Sequence, residues 1–161
     1  MSPAAALSRP RTALLLCLAA TLLTGMAGGF ATEAGKAGWY ERLAKPDWTP
    51  PDAAFPIVWT ALYVAMAVAA WRVWKRTGWG HPALALFWTQ LAVNCAWSFL
   101  FFGAHRIGLA LADAVLLLAL VAATARLFGR IDWPAGLLML PYLAWTAYAV
   151  ALNGAVWRMN A

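Results

Sequence analysis

Charged residues are scarce in this chain, at 11% of its 161 residues, whereas 64% are hydrophobic. A soluble domain carries about 25% charged residues, and a chain this small cannot bury so much apolar surface inside itself. The low charge therefore excludes a soluble globular enzyme and a disordered chain. It predicts a protein whose surface faces lipid.

Cysteine and acidic residues are also few, with two Cys and six Asp or Glu. Cys17 and Cys95 lie inside apolar runs and form no CxxC pair, so neither a disulfide framework nor a metal site is predicted. The twelve Lys and Arg are scattered between apolar runs rather than clustered on one face, which argues against a nucleic-acid partner. They are typical of loop charges that face lipid headgroups.

Long apolar runs, by contrast, recur five times, four of them uncharged and one broken only by Asp113. Each is roughly 19 to 25 residues, which is enough to cross about 30 Å of hydrocarbon as a helix. We therefore predict an all-α integral membrane protein, a bundle of five transmembrane helices in a single domain over residues 1–161. The predicted helices are 12–32, 53–76, 82–104, 106–128 and 133–157, and a long loop covers 33–52.

The first run also fits a secretory signal peptide, because Arg9 and Arg11 precede a Leu-rich core that is followed by small residues. Its length favours a first spanning helix equally well. Lys and Arg number seven on the amino-terminal side of the predicted bundle and five on the opposite side. This excess predicts an amino terminus on the inner side, with the long loop outside.

Tryptophan is present in surplus, with eleven copies. Trp59, Trp97 and Trp145 lie within predicted spans, where an interfacial position does not account for them. The other seven that we consider fall in loops or near span ends, and an aromatic belt at the membrane surface explains most of them. These seven are Trp39, Trp48, Trp71, Trp74, Trp79, Trp133 and Trp157.

The three mid-span tryptophans belong to aromatic stripes on three different helices. Phe55, Trp59 and Tyr63 are four residues apart and share one helix face. Amide or indole groups facing lipid would lack hydrogen-bond partners, so these faces should point inward. Two interpretations stay open, tight aromatic packing or a cavity for a flat aromatic ligand. The other two stripes are Gln90, Asn94, Trp97 and Phe101, and Tyr142, Trp145, Ala149 and Leu152.

Asp113 is the only acidic residue within a predicted span. A charge at that depth is costly and indicates a functional site by default, the alternative being a hydrogen bond to a neighbouring helix. Small residues four apart, Gly108 with Ala112 and Ala92 with Ala96, allow helices to approach closely. Such pairs serve either packing within the chain or a homodimer.

An ordered series of motifs contains these stripes. The chain reads WYERLAKPDWTPP at 39–51, VWTALY at 58–63, QLAVNCAW at 90–97, FFGA at 101–104, ALAD at 110–113, PYLAW at 141–145 and LN at 152–153. At these residues it resembles the TspO/translocator protein family, also called tryptophan-rich sensory proteins or peripheral benzodiazepine receptors. The resemblance runs from about Trp39 to Arg158 with the motifs in order.

The resemblance implies five helices, with the first run retained, around a ligand cavity beneath the long loop. It implies tetrapyrrole ligands, protoporphyrin IX or haem, with no further cofactor, and a bacterial source. Because the inner membrane is the default location of bacterial helical bundles, we expect a multi-pass protein of that membrane. The charge argument adds Asp113 to the implied pocket. That pocket consists of Tyr40, Phe55, Trp59, Tyr63, Asn94, Trp97, Leu109, Trp145, Ala149 and Leu152.

Three functions stay open for such a cavity. The leading one is a tetrapyrrole receptor or sensor, in which the macrocycle stacks on Trp59, Trp97 and Trp145. The second is light- and oxygen-dependent porphyrin degradation, with Trp59 and Trp145 as the catalytic residues. The third is porphyrin transport across the membrane. In the first reading the propionates of the ligand pair with basic residues on the loop side, Lys36, Arg42 and Lys45.

The resemblance weakens near the end of the last span. Animal members carry a sterol-recognition pattern there, built around a tyrosine that precedes a VWR segment. This chain has Gly154 and Ala155 at that point, before Val156-Trp157-Arg158. Without the tyrosine the pattern fails, so cholesterol is not expected as a ligand.

Overall fold

The structure, a computed structural model, describes residues 3–36 and 38–161, with side chains from residue 10 onward. All secondary-structure elements of the described residues are helices, and these residues form no strand. A π-helical turn, Phe99–Gly103, continues α4. The helices are α1 Pro3–Lys36, α2 Trp39–Arg42, α3 Ala54–Thr77, α4 Pro82–Ser98, α5 Ile107–Ile131 and α6 Trp133–Asn160.

Five of these helices are long and apolar enough to cross a membrane, namely α1, α3, α4 with its π-turn, α5 and α6. The prediction of an all-α membrane bundle with five spans is confirmed. The remaining helix, α2, has four residues and lies in the connection between the first two spans.

The helix ends differ from the predicted ends by a few residues. The first helix was expected to end at residue 32, but α1 continues to Lys36, and the connection then turns at Gly38 with a positive φ of 72°. Glu33 and Lys36 are good helix formers, so the loss of hydropathy there does not end the helix. Likewise α5 and α6 extend to Ile131 and Asn160, three residues past the predicted ends.

The spanning helices close into a ring in the order α1, α3, α6, α5, α4. Glycine makes two of the contacts possible. A Cβ at Gly35 of α1 would overlap the carbonyl oxygen of Phe102 in the π-turn, and a Cβ at Gly136 of α6 would lie 2.6 Å from the Cα of Gly129 in α5. Small residues let backbones meet in this way inside membranes.

Two apolar clusters fill the ring, one at each end. The basal core lies toward the carboxyl end of α3 and includes Met66, Val73, Phe87, Phe128 and Met139, all with zero exposure. The loop-side cluster lies at the other end, beneath the connection between α1 and α3. Its buried members are Phe101, Phe102, Ala110 and Val156.

Candidate functional site

Hydrogen bonds between side chains cross the interior of the ring. The Tyr63 hydroxyl of α3 donates to Asn94 Oδ1 of α4 at 2.7 Å, and the Tyr142 hydroxyl of α6 donates to Gln90 Oε1 of α4 at 2.9 Å. All four side chains are buried. The polar face of α4 therefore points inward, as the sequence predicted, because its partners lie inside the ring rather than in lipid.

An aromatic cluster lies between α3 and α6 at the edge of the basal core, of which Tyr63 and Tyr142 are buried members. Trp59 stacks on Tyr63 with ring centroids 5.4 Å apart and meets the edge of Tyr142 at 6.1 Å. Phe55 meets the edge of Trp145 at 6.0 Å. Trp59, Trp145 and Phe55 are half-buried. We call these five residues, Phe55, Trp59, Tyr63, Tyr142 and Trp145, the α3–α6 aromatic cluster.

The third mid-span tryptophan, Trp97, packs elsewhere. Its ring stacks on Phe101 at 5.0 Å, and its indole Nε1 donates to Asn153 Oδ1 at 3.0 Å. Asn153 Nδ2 in turn donates to the carbonyl oxygen of Ile107 at 3.1 Å, which ties α6 to the start of α5. Trp97 thus belongs to the loop-side cluster, and Asn94, one helical turn earlier on α4, lies on the side of the α3–α6 aromatic cluster.

The other residues of the implied pocket are spread between these two groups. Tyr40 is half-buried against Phe102 at 5.4 Å, and burial raises the pKa of its phenol. Leu152 packs against the loop-side cluster, and Ala149 is half-buried one turn before it on α6. Leu109 differs, since 53% of it is exposed on the outer surface of α5.

Asp113 is half-buried on α5. Its Oδ2 is buried and finds no hydrogen-bond partner among the described residues, and neither does Nε2 of Gln90. The structural alternative for Asp113 was a hydrogen bond to a neighbouring helix. Among the described residues, Oδ2 makes no such bond. An unsatisfied carboxyl oxygen at membrane depth keeps Asp113 among the candidate ligand-binding residues.

The connection over the site is fastened to α6 at two points. Ala44 and Asn160 form a two-bond clamp: Asn160 Nδ2 donates to the Ala44 carbonyl at 2.9 Å, and the Ala44 amide donates to Asn160 Oδ1 at 3.0 Å. The Tyr148 hydroxyl donates to the Trp48 carbonyl at 2.8 Å, with the two rings edge to face. The sequence reasoning missed these residues. The position of Tyr148, three residues after Trp145, was a usable signal, whereas Asn160 had none.

Two of the three basic residues assigned to ligand carboxylates are engaged by the protein itself. Lys36 forms an ion pair with Asp52. Lys45 donates to the Tyr40 carbonyl at 2.7 Å and lies over the Tyr40 ring. Arg42 is exposed. Of the three, Arg42 is therefore the one whose side chain is exposed and, within the described part of the chain, engaged in neither an ion pair nor a hydrogen bond like those of Lys36 and Lys45.

The interfacial tryptophans also divide. Trp133, Trp48, Trp157 and Trp79 are 69%, 49%, 45% and 44% exposed, as an aromatic belt requires. Trp39 instead stacks on His105 at 4.2 Å. Trp71 donates through Nε1 to the Pro10 carbonyl at 2.8 Å. These two contribute to the packing of the protein, whereas the four exposed tryptophans, most of the seven, fit the belt.

Five spanning helices closed around paired tyrosine, tryptophan and amide side chains define a polytopic membrane protein with an aromatic interior. Its sequence matches the profile of the TspO/MBR family over residues 13–158, and the chain belongs to that family. The matched region begins inside the first hydrophobic run, so α1 is part of the family's domain.

Relatives with assigned names agree with this membership. The chain is 38% identical over 151 residues to the tryptophan-rich protein TspO of Chlorobaculum tepidum, covering 91% of this chain and 95% of the relative. It is 44% identical over 122 residues to the tryptophan-rich sensory protein of Cereibacter sphaeroides, covering 76% and 77%. It is also 42% identical over 141 residues to the translocator protein of Sus scrofa, covering 83% of each.

Proposed function

We propose that this chain is a membrane receptor for tetrapyrroles, protoporphyrin IX and haem being the ligands to test first. The proposed site is the α3–α6 aromatic cluster beneath the connection that carries Trp48. The observation that carries the proposal is the pairing of half-buried rings from two helices, Phe55 with Trp145 and Trp59 with Tyr142. Family membership supports it, because names of relatives include a tryptophan-rich sensory protein.

A flat apolar macrocycle suits these side chains physically. Aromatic pairs gain about 0.5–1.5 kcal/mol beyond their buried area, and indole offers the largest face for such stacking. The rings now contact one another, so a macrocycle enters by replacing ring–ring contacts with ring–ligand contacts. Asn94, held by Tyr63 at the inner edge, supplies an amide that orients the ligand, while exposed Arg42 on the loop side supplies a charge for its propionates.

The test is a titration of the purified protein in detergent with protoporphyrin IX, followed by the absorption of the pigment. In the double variant Trp59→Ala, Trp145→Ala we expect the affinity to fall about tenfold or more, because two stacking faces are removed. The matched control is Trp133→Ala, Trp157→Ala, which removes two exposed tryptophans and should leave the affinity within a factor of two or so of wild type. Equal affinities of the two double variants would contradict the pocket.

One observation favours photooxidative degradation of the bound porphyrin as a second candidate. Trp59 contacts Tyr63 and Tyr142, and Trp145 contacts Tyr148 at 5.6 Å, so each tryptophan next to a bound pigment has an oxidisable phenol behind it. Illumination of the complex in air, compared with darkness and with anaerobic light, separates the two functions. Bleaching that needs light, oxygen and Trp59 supports catalysis, and an unchanged spectrum supports a receptor alone.

A further inference from the structure

At the base of the bundle, opposite the candidate site, two arginines pair with one buried carboxylate and a lysine lies beside them. Arg72 Nε lies 2.6 Å from Asp132 Oδ2, and Arg76 Nη2 lies 2.7 Å from Asp132 Oδ1. The Asp132 side chain is 1% exposed, whereas that of Arg76 is 60% exposed. Lys75 projects beside them, its ammonium 3.7 Å from the centre of the Trp71 ring. Asp132 thus fixes one side of each guanidinium group, while the other side remains accessible to solvent.

These residues line a cavity of about 220 Å³, bounded by Arg72, Lys75, Arg76 and Asp132. A water molecule takes about 30 Å³ of liquid, so the space holds a phosphate group with part of its hydration. Three cations against one carboxylate leave a formal charge of +2. Each guanidinium has five N–H donors and Asp132 occupies only two of them, so a row of donors remains for a second anion.

We propose that this basal cavity binds the phosphate group of an anionic phospholipid. Arginine forks match phosphate oxygens in pairs, and the buried carboxylate fixes their direction before the ligand arrives. Free phosphate offers the same chemistry, but the position of the cavity favours a lipid. It lies in the last turns of spanning helix α3, next to Trp71 and Trp74, where the helix leaves the hydrocarbon.

The experiment compares two variants that each remove one positive charge from the same end of the bundle. Lys75→Gln removes a cation that lines the cavity and leaves the Arg72–Asp132–Arg76 group intact. Arg130→Gln removes an exposed cation in the last turn of α5, outside the cavity. Native mass spectrometry of the full chain in detergent counts the bound lipid as dioleoyl-phosphatidylglycerol or dioleoyl-phosphatidylcholine is titrated.

Wild type should bind the phosphatidylglycerol more tightly than the phosphatidylcholine. Lys75→Gln should weaken phosphatidylglycerol binding about fivefold, the equivalent of about 1 kcal/mol for one cation at a membrane surface. Arg130→Gln should leave it close to wild type. Equal weakening by both variants, or no preference between the lipids, would overturn the proposal in favour of diffuse surface charge.

Inorganic phosphate distinguishes the two sources of the anion. At constant ionic strength, millimolar phosphate should compete poorly with phosphatidylglycerol, because the lipid also gains contact between its chains and the apolar helix surface. Two results together would contradict the lipid assignment. Phosphate would displace the lipid completely, and phosphate would raise the thermal midpoint of wild type but not that of Lys75→Gln. The cavity would then be a site for a soluble anion.

Discussion

The two ends of the bundle are built differently. In the basal core, Met66, Phe87 and Phe128 have zero exposure, and the helices meet through close apolar contact. On the loop side Phe101 and Phe102 are buried, but Trp59, Trp97 and Trp145 stay half-buried, and Trp97 is held by a hydrogen bond to Asn153. A dense core fixes the relative positions of the helices, whereas half-buried rings keep faces that another flat molecule can contact. The base therefore contributes most to stability, and the loop side carries the faces on which we propose that a ligand binds.

The largest effect on stability should appear when two variants are compared, each with one phenylalanine replaced by alanine at one end of the bundle. Phe87 is fully buried and stacks on Phe128 at 5.8 Å, so Phe87→Ala leaves a cavity and should cost about 3 kcal/mol or more. Phe55 has a half-buried edge contact with Trp145, and Phe55→Ala should cost about 1 kcal/mol. Unfolding in mixed micelles with increasing denaturing detergent measures both. Similar losses would break the comparison.

An intermediate effect on stability is expected when the pH is lowered. The hydrogen bond from Arg72, with a further one from Arg76, holds the pKa of Asp132 below its ordinary value. Because the folded-state pKa is depressed, its contribution is complete above the unfolded pKa of about 4 and is lost as the pH falls below that value. Asp132→Asn should lower stability at neutral pH by about 1 kcal/mol, since its partners are partly exposed.

The thermal midpoint of each protein, measured from about pH 7 down to about pH 3, checks the assignment, because this range includes the unfolded-state pKa of about 4. Wild type should lose its advantage over Asp132→Asn on acidification, until the two melt together. Asparagine still caps the first turn of α6, so the cap is a matched feature of both proteins. An advantage that stays constant with pH would exclude the ion pair as its source.

The smallest effect on stability should come from the clamp between Ala44 and Asn160. Asn160→Ala removes both bonds at an exposed site, which should cost about 1 kcal/mol or less. The local consequence is larger, because the connection loses one of its two attachments to α6. Limited proteolysis within residues 38–53 should accelerate, while Met159→Ala, a neighbouring exposed substitution, should not change it. Unchanged cleavage in Asn160→Ala would show that the Tyr148 contact holds the connection alone.

Much of the fold was predictable because length and hydropathy decide it. An apolar run of spanning length has few alternatives in a bilayer, and all five such runs are helices. The ends were less predictable, since polar residues such as Glu33 continue a helix beyond the hydrocarbon. The π-turn at Phe99–Gly103 was not predicted, and the structure places its Phe102 carbonyl directly against Gly35 of α1.

For the site, the sequence predicted which side chains share a helix face but not which residues of other helices they contact. Helical spacing correctly placed Trp59 with Tyr63, because both lie on one helix. It also placed Trp97 with Phe101, but it could not assign Trp97 to Asn153, since that contact depends on how far α4 lies from α6. Leu109 entered the implied pocket by resemblance alone and lies on the outside of α5. The clamp through Asn160 joins positions 116 residues apart, beyond the reach of any local pattern.

The contact between Gly35 and Phe102 also limits how the bundle can open. With no side chain between them, the end of α1 and the π-turn have no compressible layer, so neither slides without displacing the other. Phe101 and Trp97 stack directly behind that contact. If a bulky ligand enters the proposed site, we therefore expect the bundle to widen between α3 and α6, whose half-buried rings line that site, and not between α1 and the π-turn.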